Sequence, residues 1–198
     1  MTRIRSAEFI RGVRVLEDLP NLNLPEIAIV GRSNVGKSSL LNRLTNSSGL
    51  ARVSATPGRT QEINLFEIEL QNPRVTLVLA DLPGFGYSKF NKDQREDLAQ
   101  LTVEYLQGRK ELSLVFLLSD CRRLPEQDER AVQKVVFEAG KSLMVVLTKT
   151  DLLTKNQLNQ QSRKVAEAYG LEAADLLITS KSDQGDTLWA AVKRLALA

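Results

Sequence analysis

The sequence predicts a three-layer α/β fold, with a mostly parallel central sheet, one antiparallel strand, and helices on both faces. Three features predict it. Short apolar runs alternate with segments of helical period along the whole chain. One neighbouring pair of runs is joined by a tight turn instead of a helix. The other runs are almost continuously apolar, as strands covered on both faces must be.

The elements follow in order. IAIV (27–30) is a short buried run, and SSLLNRLTN from Ser38 has helical spacing. INLFEIEL (63–70) alternates, Phe66 aside, which predicts a strand with one wetter face at a sheet edge. QNPR (71–74) reads as a turn and VTLVLA (75–80) as the second strand of an antiparallel hairpin. After the loop DLPGFGYSKFNK, a helix from about Asp93 is closed by Gly108. LSLVFLLS (112–119) is a buried strand, and EQDERAVQKVVFEAG a helix closed by Gly140. SLMVVLT (142–148) is a strand and KNQLNQQSRKVAEAYG a helix ended by Gly170. DLLITS (175–180) is the last strand and GDTLWAAVKRLAL the last helix. The first 22 residues are a basic lead-in whose weak pattern leaves its structure open.

Composition excludes several chemistries. The 198 residues contain no histidine, which removes Ser-His and Cys-His nucleophilic sites and any His-ligated metal. The single cysteine, Cys121, forbids an intrachain disulfide and fits a reducing compartment. The N-terminus lacks the apolar core of a signal peptide, and the longest apolar runs are too short to cross a bilayer. A cytoplasmic protein with no membrane contact is expected. Charge is uneven: residues 1–60 hold nine Lys/Arg against four Asp/Glu, and the rest 18 against 20. Either this is scatter over solvated faces, or a basic face meets an anion larger than a nucleotide, such as RNA.

The chemistry begins at GRSNVGKS, which fits G-x-x-x-x-G-K-[ST] between a buried strand and a helix. Gly31 and Gly36 let the backbone curl. The N–H groups of Arg32, Ser33, Asn34 and Val35, with the helix dipole behind them, are then expected to cradle phosphates. Lys37 is expected on the β- and γ-phosphates and the Ser38 hydroxyl on Mg²⁺. DLPG follows a strand: Asp81 can hold Mg²⁺ through water, and the stretch Leu82, Pro83, Gly84 brings a glycine N–H within reach of a γ-phosphate. TKTD places Thr148, Lys149, Thr150 and Asp151 at another strand end. The Asp151 carboxylate can accept from guanine N1–H and its 2-amino group, which adenine lacks. The aliphatic stem of Lys149 can lie along the base. Ile178, Thr179 and Ser180 end the last strand, where a backbone N–H could meet guanine O6. Strand ends are where open α/β sheets bind ligands.

The stretches LPEIAIVGRSNVGKSSLLNRLTN, LARVSATPGRTQEINLFEI, LADLPGFGYSK, LLSDCRRLPEQD and VVLTKTDLL resemble the EngB (YihA/YsxC) family of ribosome-associated GTPases. The resemblance runs from about Ala7 to about Leu195. It implies a P-loop GTPase fold with residues 23–198 as a single GTP-binding domain, monomeric, binding GTP and GDP with Mg²⁺. It implies a role in assembly of the large ribosomal subunit and a need for the protein in normal cell division and septation. It makes Gly58, Arg59, Thr60, Gln61 and Glu62 the nucleotide-responsive segment, with Ser38 and Thr60 as Mg²⁺ ligands; spacing alone does not separate Thr60 from Thr56. Two departures stand out: Thr148 replaces the asparagine of most GTPases, and DCRRL lacks the histidine of the commoner version of that loop.

Phe85 occupies the place where many GTPases carry a water-orienting glutamine, so slow hydrolysis is expected, with Lys37, Asn34 and Thr60 as the catalytic candidates. Asn34 is also the candidate to help hold K⁺ against the phosphates. Arg59 is an alternative charge donor or an RNA contact. Three classes of function are weighed: a GTP-controlled switch partnered by the large ribosomal subunit or its precursor, an adaptor of the division machinery that uses GTP for folding, and a nucleotide kinase. TKTD has no purpose in the last of these.

Overall fold

In the computed structural model the described residues are 3–47, 49–51, 62–86, 91–180 and 185–197. The chain runs β1 (Ile4–Val13), β2 (Glu26–Gly31), α1 (Lys37–Leu44), β3 (Ile63–Leu70), β4 (Val75–Asp81), α2 (Lys92–Gly108) and β5 (Leu112–Asp120). It continues through α3 (Gln127–Glu138), β6 (Ser142–Thr148), α4 (Lys155–Tyr169), β7 (Leu177–Ile178) and α5 (Asp186–Leu195). The strands form one sheet in the order β1-β3-β4-β2-β5-β6-β7. β3 is antiparallel to both of its neighbours and all other pairings are parallel. A single strand therefore runs against the rest, as the hairpin at residues 71–74 predicts.

Alternate residues of β2 feed two separate cores, which is why IAIV shows no period of its own. Ala28 and Val30 join the layer of α2, α3 and α4, with Tyr105, Val136 and Tyr169. Ile27 and Ile29 join the layer of α1 and α5, with Leu40, Leu44 and Trp189. The Trp189 Nε1–H donates to the Leu44 carbonyl at 3.1 Å, which fastens α5 to α1 without stranding the indole. No described helix is long and apolar enough to cross a membrane.

Two sequence expectations need correction. β3 is not an edge: β1 pairs along its whole length. Nor does β3 have one wet face. Ile63 and Leu65 enter one core and Phe66, Ile68 and Leu70 the other, so the apolar phase switches at Phe66. The last strand is also shorter than DLLITS. Asp175 closes a turn by accepting from the Glu172 N–H at 3.1 Å, leaving Leu177–Ile178 to pair with β6.

The segment between β1 and β2 is pinned. Glu26 is fully buried at the start of β2, and Arg109 donates to its Oε1 at 2.6 Å and its Oε2 at 2.9 Å. The Tyr105 hydroxyl donates to Oε2 at 2.7 Å, and Arg109 also reaches the Pro20 carbonyl at 2.8 Å. A buried carboxylate needs this many donors to offset its desolvation.

Candidate functional site

The P-loop follows β2 and turns into α1. A Cβ on Gly31 would stand 2.8 Å from the Leu118 carbonyl oxygen, so β5 admits only glycine there. Gly36 has φ +111°, a conformation that side chains resist, and Asn34 adopts φ 60°. Ser33 N–H donates to the Phe85 carbonyl at 2.9 Å and Val35 N–H to the Arg32 carbonyl at 3.2 Å. Those two amides are spent inside the protein. Among the described residues none accepts from the N–H groups of Asn34, Gly36, Lys37 or Ser38, which are left for an anion at the start of α1.

Lys37, at the start of α1, and Asp81, at the end of β4, are both buried and interact electrostatically. Burial lowers the Lys37 pKa, against the pull of Asp81. Burial raises Asp81 to about 6, although the Lys37 ammonium draws it down. Asp81 Oδ1 is buried without a hydrogen-bond partner. A water on a divalent cation would satisfy such an oxygen, and the Ser38 hydroxyl sits on the same helix start; the residues present thus fit a hydrated Mg²⁺.

The loop after Asp81 is stitched to the P-loop. Leu82 N–H donates to Ile29 at 3.0 Å and Phe85 N–H to Gly31 at 3.4 Å. Pro83 and Gly84 are buried. The Phe85 side chain packs against the core and offers a water nothing. Arg32 lies over Gly86, where a Cβ would meet its guanidinium at 3.0 Å. The same guanidinium pairs with Glu126 at 2.7 Å and Glu129 at 3.7 Å, at the N-terminus of α3. Sequence reasoning gave Arg32 only a backbone role. Its partners lie 94 and 97 residues away, beyond any local signal.

At the other end a cavity of about 260 Å³ is lined by Asn34, Gly36, Ser39, Lys149, Asp151 and Ser180 among others. TKTD divides its work. The Thr148 hydroxyl donates to the Val35 carbonyl at 2.8 Å, tying β6 to the P-loop. Lys149 Nζ pairs with Asp120 at 3.0 Å. The Thr150 hydroxyl donates to the Thr179 carbonyl at 3.0 Å. The fourth residue, Asp151, is exposed and lines the cavity. Thr179 N–H donates to Leu147 at 3.0 Å, so this amide serves the sheet and is not offered to a base. Ile178 is exposed and Ser180 reaches the cavity wall. Gly58, Arg59, Thr60 and Gln61 lie outside the described residues. Glu62 is described and pairs with Arg14 at 3.6 Å.

Comparison with known proteins agrees with this geometry. Residues 26–149 match the family model described as 50S ribosome-binding GTPase. The "Probable GTP-binding protein EngB" of Clostridium perfringens is 41% identical over 85% of this chain and 83% of its own length. The protein of the same description from Trichlorobacter lovleyi is 37% identical over 96% and 95%. A crystal structure of an EngB protein superposes with a TM-score of 0.67 at 23% identity, covering 85% of this chain and 97% of that one. Era in complex with MgGDPNP and a segment of 16S ribosomal RNA superposes at 0.70 and 20% identity, covering 86% and 56%. The chain belongs to the EngB family of P-loop GTPases.

Proposed function

We propose that this EngB-family GTPase is a GTP-operated binding switch for the large ribosomal subunit or its precursor, reset by slow hydrolysis. The observation that carries the reading is the buried Lys37–Asp81 pair with its orphaned carboxylate oxygen, set below free P-loop amides. Such an arrangement is electrostatically incomplete until phosphates and a cation arrive. Ser38 would hold a Mg²⁺ bound with GTP directly, Asp81 through a water and Thr60 as a further ligand, and the cation would neutralise charge on the phosphates. Asp151 selects guanine by accepting from N1–H and the 2-amino group.

Hydrolysis is slow because Phe85 cannot orient a water. Asn34, at φ 60° on the rim, is the residue proposed to help hold K⁺ where a stimulating charge is needed. Exchange of K⁺ for Na⁺ then lowers turnover, and Asn34→Ala removes the difference.

The partner is proposed from the family description and from the charge of the N-terminal region. Arg5 pairs with Glu69 at 3.4 Å, Arg14 with Glu62, and Arg11 donates to the Asp18 carbonyl at 3.1 Å. Such exposed pairs are weak, so RNA phosphates can take these arginines over at little cost. Arg3, Arg52 and Arg59 complete the proposed contact set. Co-sedimentation with purified subunits tests this at two salt concentrations, with GDP or a non-hydrolysable GTP analogue. Binding to the large subunit that falls steeply with salt and is stronger with the GTP analogue is expected. Equal binding with both nucleotides leaves only a basic surface and overturns the switch.

A further inference from the structure

The geometry points to Asp120 as a positioning residue for guanine binding: it anchors the Lys149 ammonium so that the lysine stem lies fixed along the wall of the base cavity. The inference rests on the reading of that cavity as the guanine site.

Asp120 ends β5 and begins the DCRRL loop, for which the nucleotide site otherwise provides no task. Its carboxylate has four donors. Oδ1 accepts from Arg122 Nε at 2.8 Å and from the Arg122 backbone N–H at 3.1 Å. Oδ2 accepts from Arg122 Nη2 at 2.7 Å and from Lys149 Nζ at 3.0 Å. The parallel Arg122 fork fixes the plane of the carboxylate, and so fixes where Oδ2 can meet the lysine.

The backbone of Lys149 is fixed as well. It holds φ 59°, which a non-glycine residue adopts only under constraint. Its carbonyl accepts from Leu152 N–H at 3.1 Å and from the Cys121 thiol at 3.4 Å. Cys121 N–H in turn donates to the Thr148 carbonyl at 3.2 Å. With the backbone held at the cavity and the ammonium held at Asp120, the four-carbon stem between them is restrained at both ends. A lysine otherwise carries large rotamer entropy, and here that entropy is lost before any base arrives. The base then meets a preformed apolar strip across from the carboxylate of Asp151.

Stacking and edge recognition predict different signatures. A residue that acts through the Lys149 stem serves any purine of the right shape. Asp120→Asn should therefore weaken GDP and inosine diphosphate by the same factor, about tenfold, because one charged hydrogen bond is lost. Asp151 reads the 2-amino group that inosine lacks, so its substitutions change the ratio between the two. Lys149→Met keeps an unbranched apolar stem without the anchor and should lose affinity like Asp120→Asn. In the Lys149→Met background, Asp120→Asn should add less than about twofold, since coupled residues are non-additive.

The experiment is titration of the protein and these variants with fluorescent GDP, with inosine diphosphate and ATP as competitors. Unchanged GDP affinity in Asp120→Asn overturns the inference. So does an undiminished Asp120→Asn effect in the Lys149→Met background, which would mark Asp120 as a scaffold for the loop alone. Should Asp120→Asn not fold, Lys149→Met decides by itself: full GDP affinity in that variant sinks the inference. Equal competition by ATP in the unaltered protein refutes the guanine site itself, a failure distinct from the others.

Discussion

Two lysine–aspartate pairs stand at opposite ends of the nucleotide site, and they are built on opposite principles. Lys149 and Asp120 are in contact at 3.0 Å, with Arg122 as a second cation, and these donors hold the Asp120 carboxyl well below its usual range despite partial burial. Lys37 and Asp81 are nearly sealed from water, share no hydrogen bond, and are each displaced toward neutrality by burial. The satisfied pair shapes a wall. The unsatisfied pair is the one proposed to be completed by the ligand's charges. Electrostatic frustration, more than the presence of charge, marks where phosphate and cation belong.

The largest expected effect comes from removing the cation of the frustrated pair. Lys37→Met would delete the proposed phosphate contact and leave Asp81 buried without the Lys37 counter-charge. GDP affinity should fall by about a hundredfold or more, against about tenfold for Asp120→Asn. Equilibrium titration of both variants checks the order. A smaller loss at Lys37 than at Asp120 would break the distinction between the pairs.

The second effect differs in sign between the pairs. A carboxyl raised from 3.8 to about 6 contributes stability that is present in full below the unfolded value and lost as pH rises through about 6. At pH 7, without ligand, ionised Asp81 is therefore a net cost. Asp81→Asn should raise the melting temperature of the nucleotide-free protein by about 2–4 °C, reflecting roughly 1 kcal/mol after the loss to Lys37 is deducted. It should also flatten stability between pH 4 and 6 and shrink the stabilisation given by Mg²⁺ with GDP. Asp120 behaves the other way: its depressed pKa contributes stability above the unfolded value that is lost on acidification, so Asp120→Asn should lower the melting temperature. Thermal melts across pH, with and without ligand, separate the two. A destabilised ligand-free Asp81→Asn would show that the buried pair is satisfied after all.

What the sequence revealed follows the same division. The residues proposed to face the ligand, Lys37, Asp81 and Asp151, come in short contiguous motifs, so spacing and strand ends alone pick them out as candidates. Residues that support them do so across the fold. Asp120 meets Lys149 from 29 positions away, and Arg32 meets Glu129 from 97. The sheet shows the same limit. The hairpin of β3 and β4 was legible because its turn is local, whereas the pairing of β1 with β3 joins segments some 60 residues apart. That pairing overturned the reading of β3 as an edge. The segment from Gly58 to Gln61 rests on resemblance alone.

The smallest effect concerns the bond between the two ends. Thr148 belongs to the base-side motif, yet its buried hydroxyl donates to the carbonyl of Val35 in the phosphate loop at 2.8 Å. Thr148→Val removes that hydroxyl at nearly constant shape, leaving the carbonyl without this donor. A lost buried hydrogen bond of this kind costs about 1–3 kcal/mol of stability. The P-loop would then be held to the base side less firmly, and GDP affinity should fall about three- to fivefold, well short of the Asp120 effect. Thr148→Asn is the informative partner, because an asparagine amide can also donate, and asparagine is the residue most GTPases carry there. It should keep stability and affinity within about twofold of the unaltered protein. If the valine variant loses nothing and the asparagine variant does, the role of Thr148 is its shape. The satisfied and frustrated pairs would then be two independent halves of the site.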